Sequence, residues 1–193
     1  MSNEDFNIEL NEIEFKYDAE NIKLSDFLQF AESLTPKEKV QIGSWDFYYS
    51  GKGMLFEFIR FRNGSEPELT IKIKNDEKNN QNRFEIDLPL SKKVSEFLVR
   101  KFVELLGFKE NFRIFKYCEI FWYEKVDLVY YTIYNKDMKE VGRRIEIEAL
   151  KNYPFKSPEE AFQEIKTMEQ KLSEIGITPQ MRLKKSMWET FKT

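Results

Sequence analysis

Strict alternation of apolar and charged residues recurs along the chain and predicts β-strands. In residues 12–17 the even positions are charged and the odd positions are apolar. The same period of two, or an enrichment in aromatic and β-branched residues, predicts six further strand segments: 55–62, 69–74, 83–88, 113–123, 126–134 and 145–149. Because mostly turns separate neighbouring segments, these strands should form an antiparallel sheet or barrel.

Apolar residues at helical spacing predict helices between and after the strands. The first predicted helix runs from Ser25 to Leu34, and the second runs from Ser91 to Gly107, which ends it. The third begins with the capping sequence at Ser157 and ends at Gly176, and the last begins at Thr178 and includes Trp188 and Phe191. Because these helices stand apart from the strands instead of alternating with them, the predicted class is α+β.

Composition narrows the functional classes. The chain has 193 residues, 41% of them hydrophobic, which is enough for one domain spanning residues 1–193 with a sizeable core. Its 31 basic and 34 acidic residues nearly cancel, which disfavours a DNA-binding protein. The absence of His excludes imidazole catalysis and His-ligated metals, and the single Cys118 cannot form an internal disulfide or a cysteine metal site. We expect a cytoplasmic protein with no membrane partner.

The charged positions of the strands are sorted by sign. Glutamates occupy residues 12 and 14 on one strand and 146 and 148 on another, whereas Arg60, Arg62, Lys72 and Lys74 occupy two others. A sheet with one face in water is the simple alternative for any single strand. The sorting favours a closed barrel with these faces inward, where a polyanion and a divalent cation would neutralise them. Carboxylates bind Mg²⁺ or Mn²⁺, and Arg and Lys bind phosphate oxygens.

These residues resemble a known family. Glu12-x-Glu14-x-Lys16 resembles the ExExK signature of the CYTH family, the triphosphate tunnel metalloenzymes. Further motifs follow in the family's order: Ile59-Arg60-Phe61-Arg62, Leu69-Thr70-Ile71-Lys72, Arg83-Phe84-Glu85, Leu106-Gly107-Phe108, Lys116, Glu146-Ile147-Glu148 and Lys185-Ser186-Met187. The resemblance spans essentially the whole chain and implies an eight-stranded antiparallel β tunnel with flanking helices.

The resemblance also implies roles for individual residues. It implies catalytic roles for Glu12, Glu14, Lys16 and Glu148. It implies phosphate binding by Lys16, Arg60, Arg62, Lys72, Lys74, Arg83, Lys116 and Lys185. It implies that Mg²⁺ or Mn²⁺ is held by Glu12, Glu14, Glu85, Asp137, Glu146 and Glu148. For Lys74, Arg83 and Lys185 a solvated or structural charge remains the alternative.

Three positions depart from the family pattern. Cys118 stands where an arginine is usual, and Met187 replaces the tyrosine of the terminal motif. No aspartate stands at the usual metal-facing position of segment 126–134, so Asp137, or failing that Asp127, is the candidate substitute. These departures leave open which substrate is bound and which residue supplies one of the metal ligands.

Three functions remain open from the sequence. The first is a metal-dependent phosphohydrolase that acts on inorganic triphosphate, a nucleoside or thiamine triphosphate, or an RNA 5′-triphosphate end. The second is a class IV-type adenylyl cyclase that makes cyclic AMP from ATP. The third is a module that binds a nucleotide or polyphosphate without turnover. The protein could act in any of these ways as a monomer or a homodimer.

Overall fold

The computed structural model describes residues 11–53, 56–74 and 82–192, and it describes side chains for residues 13–53, 56–72 and 85–192. Eight strands form the body of the structure: β1 (Asn11–Asp18), β2 (Glu38–Ser50), β3 (Phe58–Asn63), β4 (Glu68–Lys74), β5 (Asn82–Pro89), β6 (Lys109–Trp122), β7 (Val126–Tyr134) and β8 (Glu140–Ala149). Four α-helices accompany them: α1 (Leu24–Ser33), α2 (Glu96–Leu105), α3 (Pro158–Leu172) and α4 (Met187–Phe191).

The strands pair antiparallel in the order β1-β5-β4-β3-β2-β6-β7-β8 and curl into a barrel. The seam is short, because β1 pairs with β5 only along residues 11–13 and then with β8 along residues 14–18. The structure therefore confirms the predicted α+β class and the eight-stranded antiparallel tunnel with flanking helices.

The alternation pattern missed β2, although β2 pairs with β6 along its whole length. Its inward positions mix apolar and polar residues, such as Ile42, Ser44, Asp46 and Tyr48, so the strand shows no clean period of two. The sequence of β2 is nevertheless rich in aromatic and β-branched residues, which is the signal that could have identified it.

The outward face of β1 and β8 forms the main hydrophobic core. Ile13, Phe15, Ile145 and Ile147 are buried in one cluster with residues of α1 and α3, as the period of two predicts. Helix α3 begins at Ser157, whose hydroxyl accepts a hydrogen bond from the backbone N–H of Glu160, as the sequence predicts.

Two predicted helices differ from the structure. Helix α2 begins at Glu96 instead of Ser91, and it turns Val99 and Val103 toward the barrel. The predicted terminal helix is interrupted: residues Pro179–Met181 form one 3-10 turn, and α4 begins separately after Ser186. Ser186 and Glu189 form a capping box there, a strong local start signal that separates α4 from the preceding turn.

Helix α4 lies against the end of the barrel. The Trp188 ring packs 5.5 Å from the ring of Phe58 and 5.7 Å from that of Phe112, and Ser186, Met187 and Trp188 line the tunnel. Within the described part of the chain, no helix combines the length and apolar character needed to cross a membrane.

Substitutions at inward and outward positions of β8 should lower the free energy of unfolding by very different amounts. Ile147 is fully buried outside the barrel, so Ile147→Ala should lower the free energy of unfolding by about 2–5 kcal/mol. Glu148→Gln, at the adjacent inward position, should lower it by less than about 1 kcal/mol. Urea unfolding measures both, and a larger cost for Glu148→Gln would contradict the assigned faces.

Candidate functional site

The inside of the barrel contains two adjoining chambers. The first chamber has a volume of about 230 Å³ and lies beside α4. The second chamber has a volume of about 510 Å³ and extends along β2, β6 and β7. Both chambers are lined by the same residues at their junction: Arg62, Glu68, Lys116, Tyr131, Glu146 and Glu148.

The first chamber contains the basic wall that the strand pattern predicts. We define the basic wall as Arg60, Arg62, Lys72 and Lys116, all of which line this chamber. Arg60 and Lys72 are buried, and Arg62 and Lys116 are partly buried. The four cations therefore meet in one chamber, as the sequence predicts, but the carboxylates of Glu68, Glu85 and Asp87 line the same chamber.

Asp46 on β2 is the central counterion of the basic wall, and sequence reasoning missed it. Its Oδ1 accepts from Arg62 Nε at 3.0 Å, and its Oδ2 lies 2.7 Å from Lys116 Nζ. Asp46 is fully buried. Burial alone would raise the pKa of this carboxyl, but Arg62, Lys116 and Arg60 hold the pKa well below its usual range.

Neighbouring strands supply further counterions that the sequence did not identify. Glu68 Oε1 accepts from Arg60 at 3.0 Å and from Arg62 at 3.1 Å. Lys151 lies beyond β8 and donates to Glu85 at 3.0 Å and to Asp87 at 3.1 Å. The basic wall is thus part of a buried ionic network.

Glu85, a predicted metal ligand, belongs to that network. Its carboxylate forms ion pairs with Lys72 and Lys151. Burial would raise the pKa of Glu85, but Lys72, Arg60 and Lys151 lower it. Because two lysines already neutralise it, Glu85 is placed as a counterion of the basic wall.

The acidic wall lies on the other side of the tunnel. We define it as Glu14, Glu146, Glu148 and Asp127, contributed by β1, β8 and β7. Strand pairing sets Glu14 opposite Glu148, and Glu148 opposite Asp127 on its other side. Like charges on neighbouring strands at one register position repel, so they need a compensating cation.

Lys16 supplies part of that compensation. Its ammonium forms an ion pair with Glu14 and lies 3.4 Å from Glu146 Oε2. Glu14 is only 2% exposed, and its Oε2 is buried without a hydrogen-bond partner. Burial and the nearby Glu146 charge raise the pKa of Glu14. Lys16 therefore pairs with two carboxylates of the acidic wall, while one oxygen of Glu14 has no hydrogen-bond partner.

Asp127 lies at the tunnel, and Asp137 does not. Asp127 lines the second chamber beside Glu146 and Glu148, and its Oδ1 is buried without a hydrogen-bond partner. Burial, with a contribution from Glu146, raises the pKa of Asp127 to about 7. Asp137 is exposed in the turn between β7 and β8 and borders a separate surface depression. Asp127, the second candidate from the sequence, is therefore the aspartate that lies beside the other carboxylates of the tunnel.

The remaining predicted residues divide into three groups. The side chains of Glu12, Lys74 and Arg83 lie outside the part of the chain whose side chains are described. Lys185 is exposed and does not line either chamber. Cys118 and Met187, the two departures from the family pattern, both line the tunnel: Cys118 the second chamber and Met187 the first.

The oxygen donors of the acidic wall suit a divalent cation. Among the side chains that the structure describes, no three Asp, Glu or Cys residues converge into a complete metal site. The available donors are all carboxylate oxygens, which suit Mg²⁺ or Mn²⁺. The unpartnered oxygens of Glu14 and Asp127, with their raised pKa values, fit a missing positive charge at this wall.

Comparison with solved structures places the fold among known proteins. No protein-family model matches the chain, and no curated protein matches it in sequence. A conserved hypothetical protein from Pyrococcus furiosus has a TM-score of 0.73 at 22% identity, over 92% of this chain and 98% of that chain. A protein of Vibrio parahaemolyticus, named a "putative adenylate cyclase", has a TM-score of 0.66 at 11% identity, over 92% and 95%.

A chain of the Schizosaccharomyces pombe Mediator head module also has this fold, with a TM-score of 0.63 at 11% identity over 85% of this chain and 95% of that chain. At such identities the likeness concerns the fold alone. It agrees with the eight-stranded antiparallel tunnel that the sequence motifs imply.

The Asp46 network predicts a large effect of removing one charge. Asp46→Asn should lower the free energy of unfolding at pH 7 by about 3–5 kcal/mol, because it leaves Arg62 and Lys116 without their buried counterion. Since the pKa of Asp46 is lowered on folding, its contribution is complete above about pH 4 and is lost as the pH falls below that value.

Urea unfolding of the wild type and Asp46→Asn between pH 3 and pH 7 measures this difference. The gap in the free energy of unfolding should begin to narrow toward pH 3, because the Asp46 carboxyl of the unfolded wild type takes up a proton near its ordinary pKa while the folded carboxyl stays ionised. A gap that stays constant across this range would show that Asp46 does not act through its charge.

Proposed function

We propose that this protein is a metal-dependent phosphohydrolase that cleaves a triphosphate-containing substrate inside the barrel. The observation that carries the proposal is the pairing of a basic wall and an acidic wall within one tunnel. Phosphoryl transfer depends mainly on positioning and charge neutralisation, and these two walls offer both.

The basic wall would hold the phosphate chain. Arg60 is buried, and its Nε–H has no hydrogen-bond partner among the described residues, so one donor remains for an incoming oxygen. Arg62 and Lys116 donate to Asp46 at the junction of the two chambers. A phosphate group there would accept hydrogen bonds from the same cations, and the charge of Asp46 would prevent an excess of positive charge when no substrate is bound.

The acidic wall would hold Mg²⁺ or Mn²⁺. Glu14, Glu146, Glu148 and Asp127 are the candidate ligands, with Glu12 added from the sequence resemblance. When bound, such an ion would polarise phosphate oxygens and lower the pKa of a water molecule. Lys16 holds Glu14 and Glu146 by ion pairs, and the Tyr131 hydroxyl donates to Glu146 Oε2 at 3.2 Å. These contacts would fix the orientation of the carboxylates.

Binding without turnover is the second candidate. The basic wall already has counterions in Asp46, Glu68 and Glu85, and no complete metal site is formed among the described side chains. The tunnel fold also occurs in a chain of the Mediator head module, so the fold alone does not imply catalysis. An adenylyl cyclase activity is favoured only by the names of two structural neighbours, from Vibrio parahaemolyticus and Bacillus halodurans.

The proposal predicts a strict metal requirement and a requirement for the acidic wall. Phosphate release from inorganic triphosphate and from nucleoside and thiamine triphosphates should need Mg²⁺ or Mn²⁺ and stop with a chelator. Glu148→Gln should lower turnover by about 100-fold or more, because it removes a charge of the acidic wall. Glu124→Gln, at an exposed glutamate in the β6–β7 turn, is the matched control and should leave turnover unchanged.

Two results would contradict hydrolysis, and a third would contradict the assigned metal site. Tight binding measured by calorimetry without phosphate release would select the binding module. Pyrophosphate and cyclic AMP as the products from ATP would select the cyclase. Full activity of Glu148→Gln, with an unchanged metal requirement, would exclude the acidic wall as the metal site.

A further inference from the structure

The second chamber has an apolar wall that the proposed chemistry does not use. We define the apolar wall as Ile42 on β2, Cys118, Ile120 and Trp122 on β6, and Val129 on β7, all of which line this chamber. Strand pairing places Ile42 beside Cys118, and Ile120 beside Val129. Inward positions of three adjacent strands are therefore apolar at this end of the tunnel.

These inward side chains lack the packing that their outward neighbours have. Phe121 and Leu128, which point out of the barrel on the same strands, are fully buried. Ile42, Ile120 and Val129 are only partly buried because they face the open chamber. Apolar surface left facing an open cavity favours any ligand group that covers it.

The apolar wall adjoins the basic wall. Arg62 and Lys116 line both chambers, so a ligand with phosphates in the first chamber can extend past them into the second. The second chamber, at about 510 Å³, lies within the range of small-molecule sites. Cys118 lines the second chamber and adds no cation to it.

We infer that the second chamber binds the organic group of a triphosphate ester and that this group contains an aromatic ring. Trp122 offers a ring for stacking, and Ile42, Ile120 and Val129 offer aliphatic contacts. The inference rests on the proposed function and makes it more specific, because it excludes inorganic triphosphate as the preferred substrate.

A comparison of ligands tests the inference. Calorimetry with Mg²⁺ would compare inorganic triphosphate with the four nucleoside triphosphates and thiamine triphosphate. At least one aromatic ester should bind at least about tenfold more tightly than inorganic triphosphate, because stacking of its ring on an aromatic side chain stabilises the complex by that amount.

A substitution that fills the second chamber should weaken binding of the ester alone. Val129→Trp should weaken binding of the preferred ester by about tenfold or more while changing the affinity for inorganic triphosphate by less than about twofold. Thr132→Trp is the control, because it adds the same ring on the outward face of the same strand. If Val129→Trp lowers the melting temperature strongly, Ile42→Phe fills the chamber from β2 and replaces it.

The outcomes separate the inference from the proposed function. If inorganic triphosphate binds as tightly as every ester, or if chamber-filling variants weaken both ligand types equally, the inference is wrong and the proposed function stands. If neither inorganic triphosphate nor any ester binds, the proposed function fails, and the inference fails with it.

A second and independent observation concerns the outside of the barrel. Five large apolar residues on or directly after α2 are 57–85% exposed: Phe97, Leu98, Phe102, Leu105 and Leu106. Only Val99 and Val103 of this helix turn inward and are buried. The apolar stripe that predicts the helix therefore mostly faces away from the barrel.

Strand β5 carries further exposed apolar residues, beside the cluster that α2 covers. Leu88 and Ile86 are 56% and 41% exposed, and they pair with Leu69 and Ile71 of β4, which pack against the cluster under α2. At about 200 Å² for a whole large apolar side chain, these exposures leave roughly 800 Å² of apolar surface. The largest apolar patch on a typical monomer is about 300–600 Å².

We infer that the α2–β5 face is the contact surface between two copies of this chain. Its area matches the roughly 800 Å² that each partner contributes to a standard stable interface. A twofold axis through one such face pairs it with itself, so the same apolar residues would cover each other. Lys101 and Glu104 form an ion pair on the exposed side of α2, so each copy would present both signs of charge at this surface.

Sedimentation analysis tests this interface. The wild type should be a dimer at micromolar concentration, and Leu98→Glu and Leu105→Glu should each raise the dissociation constant by about tenfold or more. Met138→Glu is the control, since Met138 is 51% exposed in the β7–β8 turn. A monomeric wild type, or a dimer that both glutamate variants leave unchanged, would overturn the inference.

Discussion

The structure depends on the pairing of opposite charges inside a closed sheet. Asp46 is fully buried and bonds both Arg62 and Lys116, which belong to two strands on either side of β2. Without that carboxylate, neighbouring cations would repel one another in a poorly hydrated interior. The same ion pairs hold the inward side chains against the barrel wall, so the tunnel stays open. Apolar side chains in these positions would instead pack together and fill it.

The two walls differ in how fully they are neutralised. The basic wall has Asp46, Glu68 and Glu85 as counterions, whereas in the acidic wall one oxygen each of Glu14 and Asp127 is buried without a hydrogen-bond partner. Burial raises the pKa values of Glu14 and Asp127, whereas Arg62, Lys116 and Arg60 hold that of Asp46 below its usual range despite its burial. A cation is the simplest partner that would remove the imbalance, and a phosphate chain would bring its own negative charge to the opposite wall.

The barrel separates its functions by direction. Inward residues of β3 and β4 carry cations, and β2, β6 and β7 contribute the apolar wall at one end of the tunnel as well as Asp46, Lys116 and Asp127. Outward residues of β1 and β8 pack against helices. Helices α1 and α3 bury the outward face of β1 and β8, but the face formed by α2 and β5 keeps large apolar residues exposed. The chain thus leaves two apolar surfaces for partners, one inside the tunnel and one outside it.

Alternation along single strands determined which residues share a face. The period of two is a local property of extended backbone, so the sequence alone correctly grouped Arg60 with Arg62, and Glu146 with Glu148. The family motifs added the number of strands and the tunnel. Helix starts with a local cap, such as Ser157, were predictable for the same reason.

Only the tertiary structure decided which strands became neighbours and which charges met. Asp46 lies 16 residues from Arg62, and Lys151 lies 66 residues from Glu85, so no local pattern relates these partners. Barrel register also placed Asp127 beside Glu148 and left Asp137 in an exposed turn. Helical spacing predicted α2 but not its orientation, because periodicity identifies an apolar stripe and packing decides whether that stripe faces the core.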